Sequence, residues 1–410
     1  MSFASARVIG SFPFHPRANS GPAPKLWPVS GHRKQRKVRG YRLVLGGVAT
    51  LAVTAFVVNL VLSPDHLQAP DELAADTSTQ LTSPLPSTSS TPTPPAAPSV
   101  TLAFAGDVHF TGRTQDLLDD PAAAFGPISA ALSAADIAMV NLETAITERG
   151  VEEPKQFHFR APTASLDALA AAGIDVASLA NNHAVDYGRL GLDDTLAAVT
   201  AGPISVVGIG ADAATAYAPY RTVVRGVGIS IFGASQIPDR TYQRWTATDD
   251  SPGIASTADQ DRLIAGVREA GGAGDVVVVY LHWGIEGDEC PTQDMQDLAT
   301  ELATAGADAI VGAHAHLLLG AGYLDQPGIG AYVSYGLGNF LWWRPQAFSD
   351  DTGVLTLTVQ NGAVISSDFT PAVIDDTGRP QPVMGPQAVA QVAAFEQLRG
   401  CAGLVPTPFV

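Results

Sequence analysis

Basic residues are scarce in most of this chain, although acidic residues are not. The 410 residues contain 23 Lys or Arg and 40 Asp or Glu, and nine of the basic residues lie within residues 1–42, which contain no acid. The rest of the chain therefore has 14 basic against 40 acidic side chains, a balance of −26. A surface this acidic repels a phosphate backbone, so the composition excludes nucleic acid as a partner.

Charged residues of all kinds are also few, at 15% of the chain, whereas hydrophobic residues make up 46%. This balance excludes a disordered protein and allows a sizeable buried core. At roughly 150 residues per domain the length alone predicts two or three domains, but not all of it is available for a core.

One long run without charge, residues 43–62, predicts a transmembrane helix. Twenty residues at 1.5 Å each span about 30 Å, the thickness of the hydrocarbon layer. The basic residues before it place the N-terminal tail, residues 1–42, in the cytoplasm as a disordered segment. A buried core helix and a cleaved signal peptide are the alternatives; the length of the run favours an uncleaved anchor in the cell membrane, with everything after residue 63 outside.

Ser, Thr and Pro supply 18 of the 23 residues in 77–99, which predicts that residues 63–98 form an extended linker. The exported domain is then 99–410, with 371–410 as a C-terminal extension packed on it and helical spacing around 389–398. Cys290 and Cys401 both lie in this domain. Outside the cell they form either one disulfide, the favoured alternative, or two unpaired thiols.

From residue 99 onward, short apolar runs alternate with Ala- and Leu-rich helical stretches, which predicts an α/β domain. Each run is followed by side chains of the types that bind metal ions. These are Asp107 and His109 after residues 100–105, Glu143 after 137–140, Asn182 and His183 after 176–180, His282 after 276–281, and His314 and His316 after 309–311. An aspartate opens several of these units, at positions 136, 175, 275 and 308. Because open α/β sheets build their sites at the carboxyl ends of strands, we expect these side chains to meet at one rim.

The number of such residues matters more than any one of them. A single histidine is more often a surface or core residue than a ligand, but five of the six histidines in residues 99–410 stand at these strand ends, and His158 is the other. Carboxylate, imidazole and carboxamide together are donors suited to Mn, Fe or Zn. The pattern therefore predicts a metal site.

The motifs Asp107–His109, Asn182-His183 and His314–His316 resemble those of the calcineurin-like metallophosphoesterase superfamily. The wider set, over roughly residues 99–370, resembles the CapA family of bacterial capsule-synthesis proteins through 106–108, 141–143, 157–161, 178–183, 282–284, 312–316 and 335–340. This resemblance implies a metallophosphatase sandwich of two packed β-sheets flanked by helices. It also implies a part in the biosynthesis or attachment of a poly-γ-glutamate capsule.

The resemblance further implies two divalent metal ions. Asp107, His109 and His316 would hold one ion, Asn182, His282 and His314 the other, and a carboxylate would bridge them. The bridge in phosphoesterases is an aspartate, whereas Glu143 stands at the corresponding strand end here.

Five further side chains are candidates around such a centre. His183 is the expected general acid, and Asp186 either orients it and raises its pKa or caps the following helix. Arg160 either holds an anionic oxygen of the substrate or forms a structural salt bridge. His158 and Asn339 are weaker candidates for substrate binding.

These residues support three functions. The first is a metal-dependent hydrolase or transferase of capsule or envelope polymer metabolism, with metal-activated water. The second is a non-catalytic component of a capsule export complex that binds an anionic polymer, with other capsule-synthesis membrane proteins as partners. The third is a phosphoesterase unrelated to a capsule.

Overall fold

Two β-sheets pack face to face in the described part of the chain, residues 97–345 and 348–408 of a computed structural model. The strands are β1 Ser99–Val108, β2 Ile137–Leu142, β3 Ala145–Ile146, β4 Arg160–Ala161, β5 Val176–Ser178, β6 Ser205–Val207, β7 Ile209–Gly210, β8 Tyr220–Val224, β9 Val227–Ser235, β10 Gly253–Ile254, β11 Val276–His282, β12 Ala309–Ala313, β13 Ala321–Leu324, β14 Tyr332–Ser334, β15 Asn339–Leu341, β16 Asp351–Gln360, β17 Ala363–Ile374, β18 Pro380–Pro382 and β19 Leu404–Val405.

The α-helices lie mainly between the parallel strands. They are α1 Ser129–Ser133, α2 Ala164–Ala171, α3 Gly188–Ala201, α4 Ala213–Ala216, α5 Arg240–Trp245, α6 Gln260–Gly272, α7 Gln293–Ala305, α8 Gly385–Gln397 and α9 Arg399–Ala402. Short 3-10 turns cover Gly112–Asp119, Pro121–Ala123, Gly126–Ile128 and Thr257–Asp259.

The first large sheet is parallel from β1 to β6 and antiparallel from β1 to β18, whereas the second has a parallel centre and antiparallel edges. The first sheet has the order β18-β17-β16-β1-β2-β5-β6, with β15 also parallel to the end of β1. The second has the order β19-β13-β14-β12-β11-β9-β8. Strands β1, β2 and β5 in the first sheet run parallel to one another, as do β9, β11, β12 and β14 in the second. The predicted α/β architecture of two packed sheets flanked by helices is therefore observed.

Successive side chains along a strand belong alternately to two hydrophobic clusters, one on each face of the sheet. In β1, Leu102 and Phe104 join the cluster between the two sheets, whereas Ala103 and Ala105 face the cluster under the helices. The opposite sheet contributes Tyr280 to the central cluster, and its hydroxyl donates to the carbonyl oxygen of Ala105 at 2.7 Å. Burial of both faces explains why these strands are nearly continuous apolar runs.

The aspartates that open the predicted strands hold neighbouring strands in register. The side chain of Asp136 accepts from the Thr101 N–H at 2.9 Å, and that of Asp175 accepts from the Ala138 N–H at 2.8 Å. Asp308 accepts from the Val277 N–H at 2.8 Å in the second sheet. Each carboxylate thereby fixes the start of one strand against the next, so the far ends of the strands are also aligned.

The C-terminal residues contribute to both sheets. Strand β17 runs through residue 371, and β19 pairs with β13 in the second sheet. Helix α8 covers most of the predicted helical stretch, and its Phe395 ring stacks on Phe369 with centroids 4.1 Å apart.

Within residues 97–345 and 348–408, the structure has no helix that is both long and apolar enough to cross a bilayer. The predicted tail 1–42, the anchor 43–62 and nearly all of the predicted linker lie outside the described residues.

Candidate metal centre

The side chains predicted to meet at a rim do so, and both sheets contribute. Asp107 and His109 lie at the end of β1, Glu143 follows β2 and Asn182 follows β5. The second sheet supplies His282 as the last residue of β11, and His314 and His316 directly after β12. All seven are buried, with exposed fractions of at most 8%.

Three donor atoms crowd around one ring nitrogen, which makes a group of four. From His282 Nε2, the Oδ1 of Asn182 lies at 2.8 Å, the Nδ1 of His314 at 3.0 Å and the Oε1 of Glu143 at 3.5 Å. A ring nitrogen carries at most one proton, so hydrogen bonding within the protein satisfies at most one of these contacts. A divalent cation shared by the four atoms accounts for all of them, and imidazole, carboxylate and amide oxygen fit such an ion.

A second set of donors lies on the β1 side. His316 Nδ1 is 3.3 Å from Asp107 Oδ2, and His109 Nε2 is 3.1 Å from Glu143 Oε2. The atoms of Asp107, Glu143 and His316 lie within 4.8 Å of one another, as do those of Glu143, His282 and His314. Glu143 therefore belongs to both groups.

The surroundings of Glu143 and His314 favour the ionised carboxylate and the neutral imidazole. Burial raises the pKa of Glu143, but the facing imidazoles of His282 and His109 outweigh it and hold that pKa well below its usual range. Burial, reinforced by the neighbouring His282, holds the pKa of His314 well below its usual range. An ionised carboxylate beside a neutral imidazole has free lone pairs for a cation.

The backbone is strained where it presents the last two histidines. His314 and His316 have φ values of 92° and 59°, in the left-handed region that non-glycine residues rarely adopt. Such residues cost about 1 kcal/mol or more each and persist where the surroundings enforce them. The His314 N–H donates to Asp107 Oδ2 at 3.2 Å, which ties this turn to β1.

Close backbone approach also shapes the β1 end. A Cβ on Gly106 would lie 1.9 Å from the carbonyl oxygen of Gly338, so only glycine fits there. The next residue, Asp107, donates its N–H to the same oxygen at 2.9 Å and pairs with Asn339 in the parallel register of β15. Asn339 is fully buried, and its side-chain N–H donates to the Ser349 carbonyl oxygen, so it ties β15 to the segment before β16.

Sequence reasoning missed two asparagines that connect the donors. The Nδ2 of Asn141 lies 2.7 Å from Asp107 Oδ1 and 3.1 Å from His282 Nδ1. Asn181 Nδ2 donates to Asn141 Oδ1 at 3.1 Å, and its Oδ1 accepts from the His183 N–H at 3.0 Å. Such contacts orient ligands. The signal was available, because both residues stand at strand ends within the motifs quoted above.

His183 faces the cluster from the β5 side. Its Nε2 lies 3.9 Å from Glu143 Oε1, and its Nδ1 lies 2.7 Å from Asp186 Oδ2. Asp186 also accepts the Phe159 N–H at 2.7 Å, and it does not cap α3, whose N-cap residue Tyr187 makes no side-chain cap. Of the two alternatives for Asp186, the structure places it where it orients His183.

Lys155 is a third residue that sequence reasoning missed. It is the only lysine after residue 42, its side chain is 14% exposed, and its Nζ lies 2.7 Å from Asp186 Oδ1 and 2.5 Å from the Asn182 carbonyl oxygen. Asp186 raises the pKa of His183, as expected, but it does not decide the net shift. Burial lowers that pKa most, Lys155 lowers it further, and together they outweigh Asp186.

Two of the predicted substrate-binding residues lie apart from the donors. Arg160 places its guanidinium over the Tyr187 ring, 4.6 Å from the ring centroid. The residue before it, Phe159, is the one that contacts the centre, with its ring 4.3 Å from both the His109 and the His183 ring centroids. Arg160 and His158 line a polar cavity of about 400 Å³. Within the described residues no carboxylate lies within salt-bridge distance of Arg160, so the structural salt bridge is not observed.

Cys290 and Cys401 form a disulfide in the structure, with their Cα atoms 5.7 Å apart. The bond joins the loop between β11 and α7 to helix α9 near the C-terminus. It therefore lies close in sequence to the strand end that carries His282.

Comparison with known proteins agrees with this set of motifs. Residues 101–342 match the family described as "Bacterial capsule synthesis protein PGA_cap", which is more than half of the chain. The chain belongs to the PGA_cap family. The matched region contains all seven predicted metal donors, so the resemblance to capsule-synthesis proteins is confirmed.

Two relatives of this PGA_cap chain illustrate the similarity. It is 28% identical over 289 residues to "PGA biosynthesis protein CapA" of Bacillus subtilis (strain 168), covering 69% of this chain and 74% of that protein. It is 31% identical over 233 residues to "Capsule biosynthesis protein CapA" of Bacillus anthracis, covering 56% of this chain and 54% of that protein. Among solved structures, Haemophilus influenzae NAD nucleotidase matches with a TM-score of 0.41 and 13% identity, covering 76% of this chain and 65% of that one.

Proposed function

We propose that residues 99–410 form a metal-dependent hydrolase or transferase with a calcineurin-like metallophosphatase fold, acting on the anionic polymer of a bacterial capsule or envelope. The membership of Glu143 in both donor groups is the observation that carries this proposal, because one carboxylate between two sets of donors is suited to a dinuclear centre. The names of the Bacillus relatives, which refer to capsule and PGA biosynthesis, support the choice of polymer.

The donors divide between two divalent ions of Mn, Fe or Zn. Asp107, His109 and His316 would hold one, and Asn182, His282 and His314 the other, with Glu143 between them. When bound, such ions lower the pKa of water and stabilise negative charge on a substrate oxygen. Asn141 would keep Asp107 and His282 in place, since its amide lies within hydrogen-bond distance of both.

His183 would supply the proton for the leaving group. Its Nδ1 faces Asp186, so the opposite nitrogen, Nε2, is the one presented to the centre. Asp186 fixes the orientation of the ring, and Lys155 fixes Asp186 from its other oxygen. Because burial and Lys155 lower the pKa of His183, the protonated ring is a stronger acid than a free imidazole, and an acid-dependent step should slow as pH rises through that lowered pKa, on the acid side of neutrality.

Arg160 and His158 would bind an anionic group of the substrate outside the metal centre. A guanidinium that stacks on Tyr187 and has no carboxylate partner among the described residues is available for a carboxylate or phosphate. Asn339 is too buried to touch a substrate, so we assign it a supporting role.

The sequence supports a location for this activity at the outer face of the cell membrane. We propose that residues 43–62 anchor the chain with its N-terminus in the cytoplasm, and that 63–98 hold the domain away from the bilayer. Other membrane proteins of capsule synthesis would then be its partners.

The proposal is tested by comparing His183→Ala with His282→Ala in the purified chain. Metal content and turnover of phosphoesters and γ-glutamyl amides are measured together. His183→Ala should lose about 10²–10⁴-fold in turnover and keep its metal, whereas His282→Ala should lose metal as well. If His183→Ala keeps full capsule-forming activity in cells, the non-catalytic polymer-binding function is the correct one.

A further inference from the structure

Glu286 lies close to the metal centre, but none of the roles assigned above uses it. Its carboxylate oxygen and ring nitrogens of His314 and His316 lie within 4.8 Å of one another. The same two histidines also belong to the inner donor groups with Glu143. Glu286 therefore lies beside two histidines of the centre.

Exposure distinguishes Glu286 from the other donors. The seven inner donors are at most 8% exposed, whereas Glu286 is exposed to solvent. No lysine or arginine forms an ion pair with Glu286 within the described residues, so its charge is not used in a surface salt bridge. A cation arriving from solvent would meet this carboxylate before it reaches the buried donors.

The loop that carries Glu286 is fixed on both sides. Before it, Trp283 is fully buried and its Nε1 donates to the Tyr335 carbonyl oxygen at 2.8 Å. After it, the Gly287 N–H donates at 2.9 Å to the carbonyl oxygen of Ala315, the residue between the two histidines. This hydrogen bond ties the loop directly to the turn that presents the imidazoles.

The disulfide provides an anchor further along the same loop. Cys290 is bonded to Cys401, whose Sγ lies 3.6 Å from the Glu289 carbonyl oxygen. The carboxylate of Glu286 therefore extends from a backbone that is held at three places. A donor held in this way is prepared for a ligand, unlike one on a free surface loop.

We propose that Glu286 is an additional metal-binding carboxylate on the solvent side of the centre, where it joins His314 and His316 to bind an entering divalent cation. This inference rests on the proposed metal centre. Carboxylate and imidazole are the donors expected for such an ion. The neutral isostere in Glu286→Gln removes the anionic donor while keeping the length and shape of the side chain.

The test titrates Mn²⁺ into the purified full chain after chelator treatment and measures free Mn²⁺ by electron paramagnetic resonance. Glu286→Gln should weaken binding of at least one Mn²⁺ by about tenfold or more. Glu289→Gln, an exposed glutamate of the same loop, is the matched control and should bind like the wild type. Thermal melts of both variants should match the wild type, since both side chains are at the surface.

The outcomes separate this inference from the proposed function. If Glu286→Gln binds Mn²⁺ like the wild type while His282→Ala binds it weakly, the outer role of Glu286 is overturned and the inner centre stands. If the wild-type chain itself binds no Mn²⁺, both are overturned.

Discussion

The buried ion pair between Lys155 and Asp186 gives a prediction that does not depend on knowing the substrate. The Lys155 side chain is 14% exposed, Asp186 is fully buried, and their charged atoms lie 2.7 Å apart. Removing one partner of a buried pair costs about 3–5 kcal/mol because the other charge stays buried. Since Asp186 keeps its contacts with His183 and the Phe159 N–H, we expect Lys155→Met to lower the free energy of unfolding by about 3 kcal/mol.

Urea unfolding, followed by tryptophan fluorescence, measures this loss. Arg189→Met is the matched control, because Arg189 pairs with Asp193 at 2.8 Å on the surface, and it should cost about 0.5 kcal/mol or less. The double variant Lys155→Met with Asp186→Asn should lose about 2 kcal/mol less than the two single losses combined. The reasoning is refuted if Lys155→Met costs no more than the surface control.

Two further predictions concern stability. Burial raises the pKa of Asp308 to about 6, although the hydrogen bond from the Val277 N–H lowers it. The native state therefore keeps a proton that the unfolded chain releases. The free energy of unfolding should fall by at most about 3 kcal/mol as pH rises from 4 to 7. Asp308→Asn should remove this part of the pH dependence in urea unfolding, and an unchanged slope would contradict it. The Cys290–Cys401 bond spans 111 residues, and its reduction should lower the free energy of unfolding by about 3 kcal/mol in the same assay. Equal unfolding midpoints with and without reductant would show that the bond does not stabilise the fold.

The donor set was predictable because it follows from strand periodicity and one topological rule. Apolar runs fix where the strands lie, and parallel strands bring their carboxyl ends to the same edge. Asp107, Glu143 and His282 each follow or end such a run, and all three lie in the cluster. The aspartates before the strands were also visible in the sequence, but their role in pairing neighbouring strands required the structure.

The parts of the site that the sequence did not predict lie in segments without a regular hydrophobic pattern. Lys155 and Phe159 lie in an irregular stretch between β3 and β4, so nothing in the sequence shows that one reaches Asp186 and the other the imidazoles. The same irregularity hid the fact that Arg160 points to a separate cavity. Glu286 follows His282 by four residues, but only the hydrogen bond from Gly287 to the His314–His316 turn brings its loop to the centre.

Anomalous scattering from crystals grown with Mn²⁺ tests the central claim most directly. Two peaks about 3.5–4 Å apart are predicted, one beside Asp107 and His316, the other beside His282 and His314, and both in contact with Glu143. A single peak, or peaks that do not touch Glu143, would contradict the dinuclear centre.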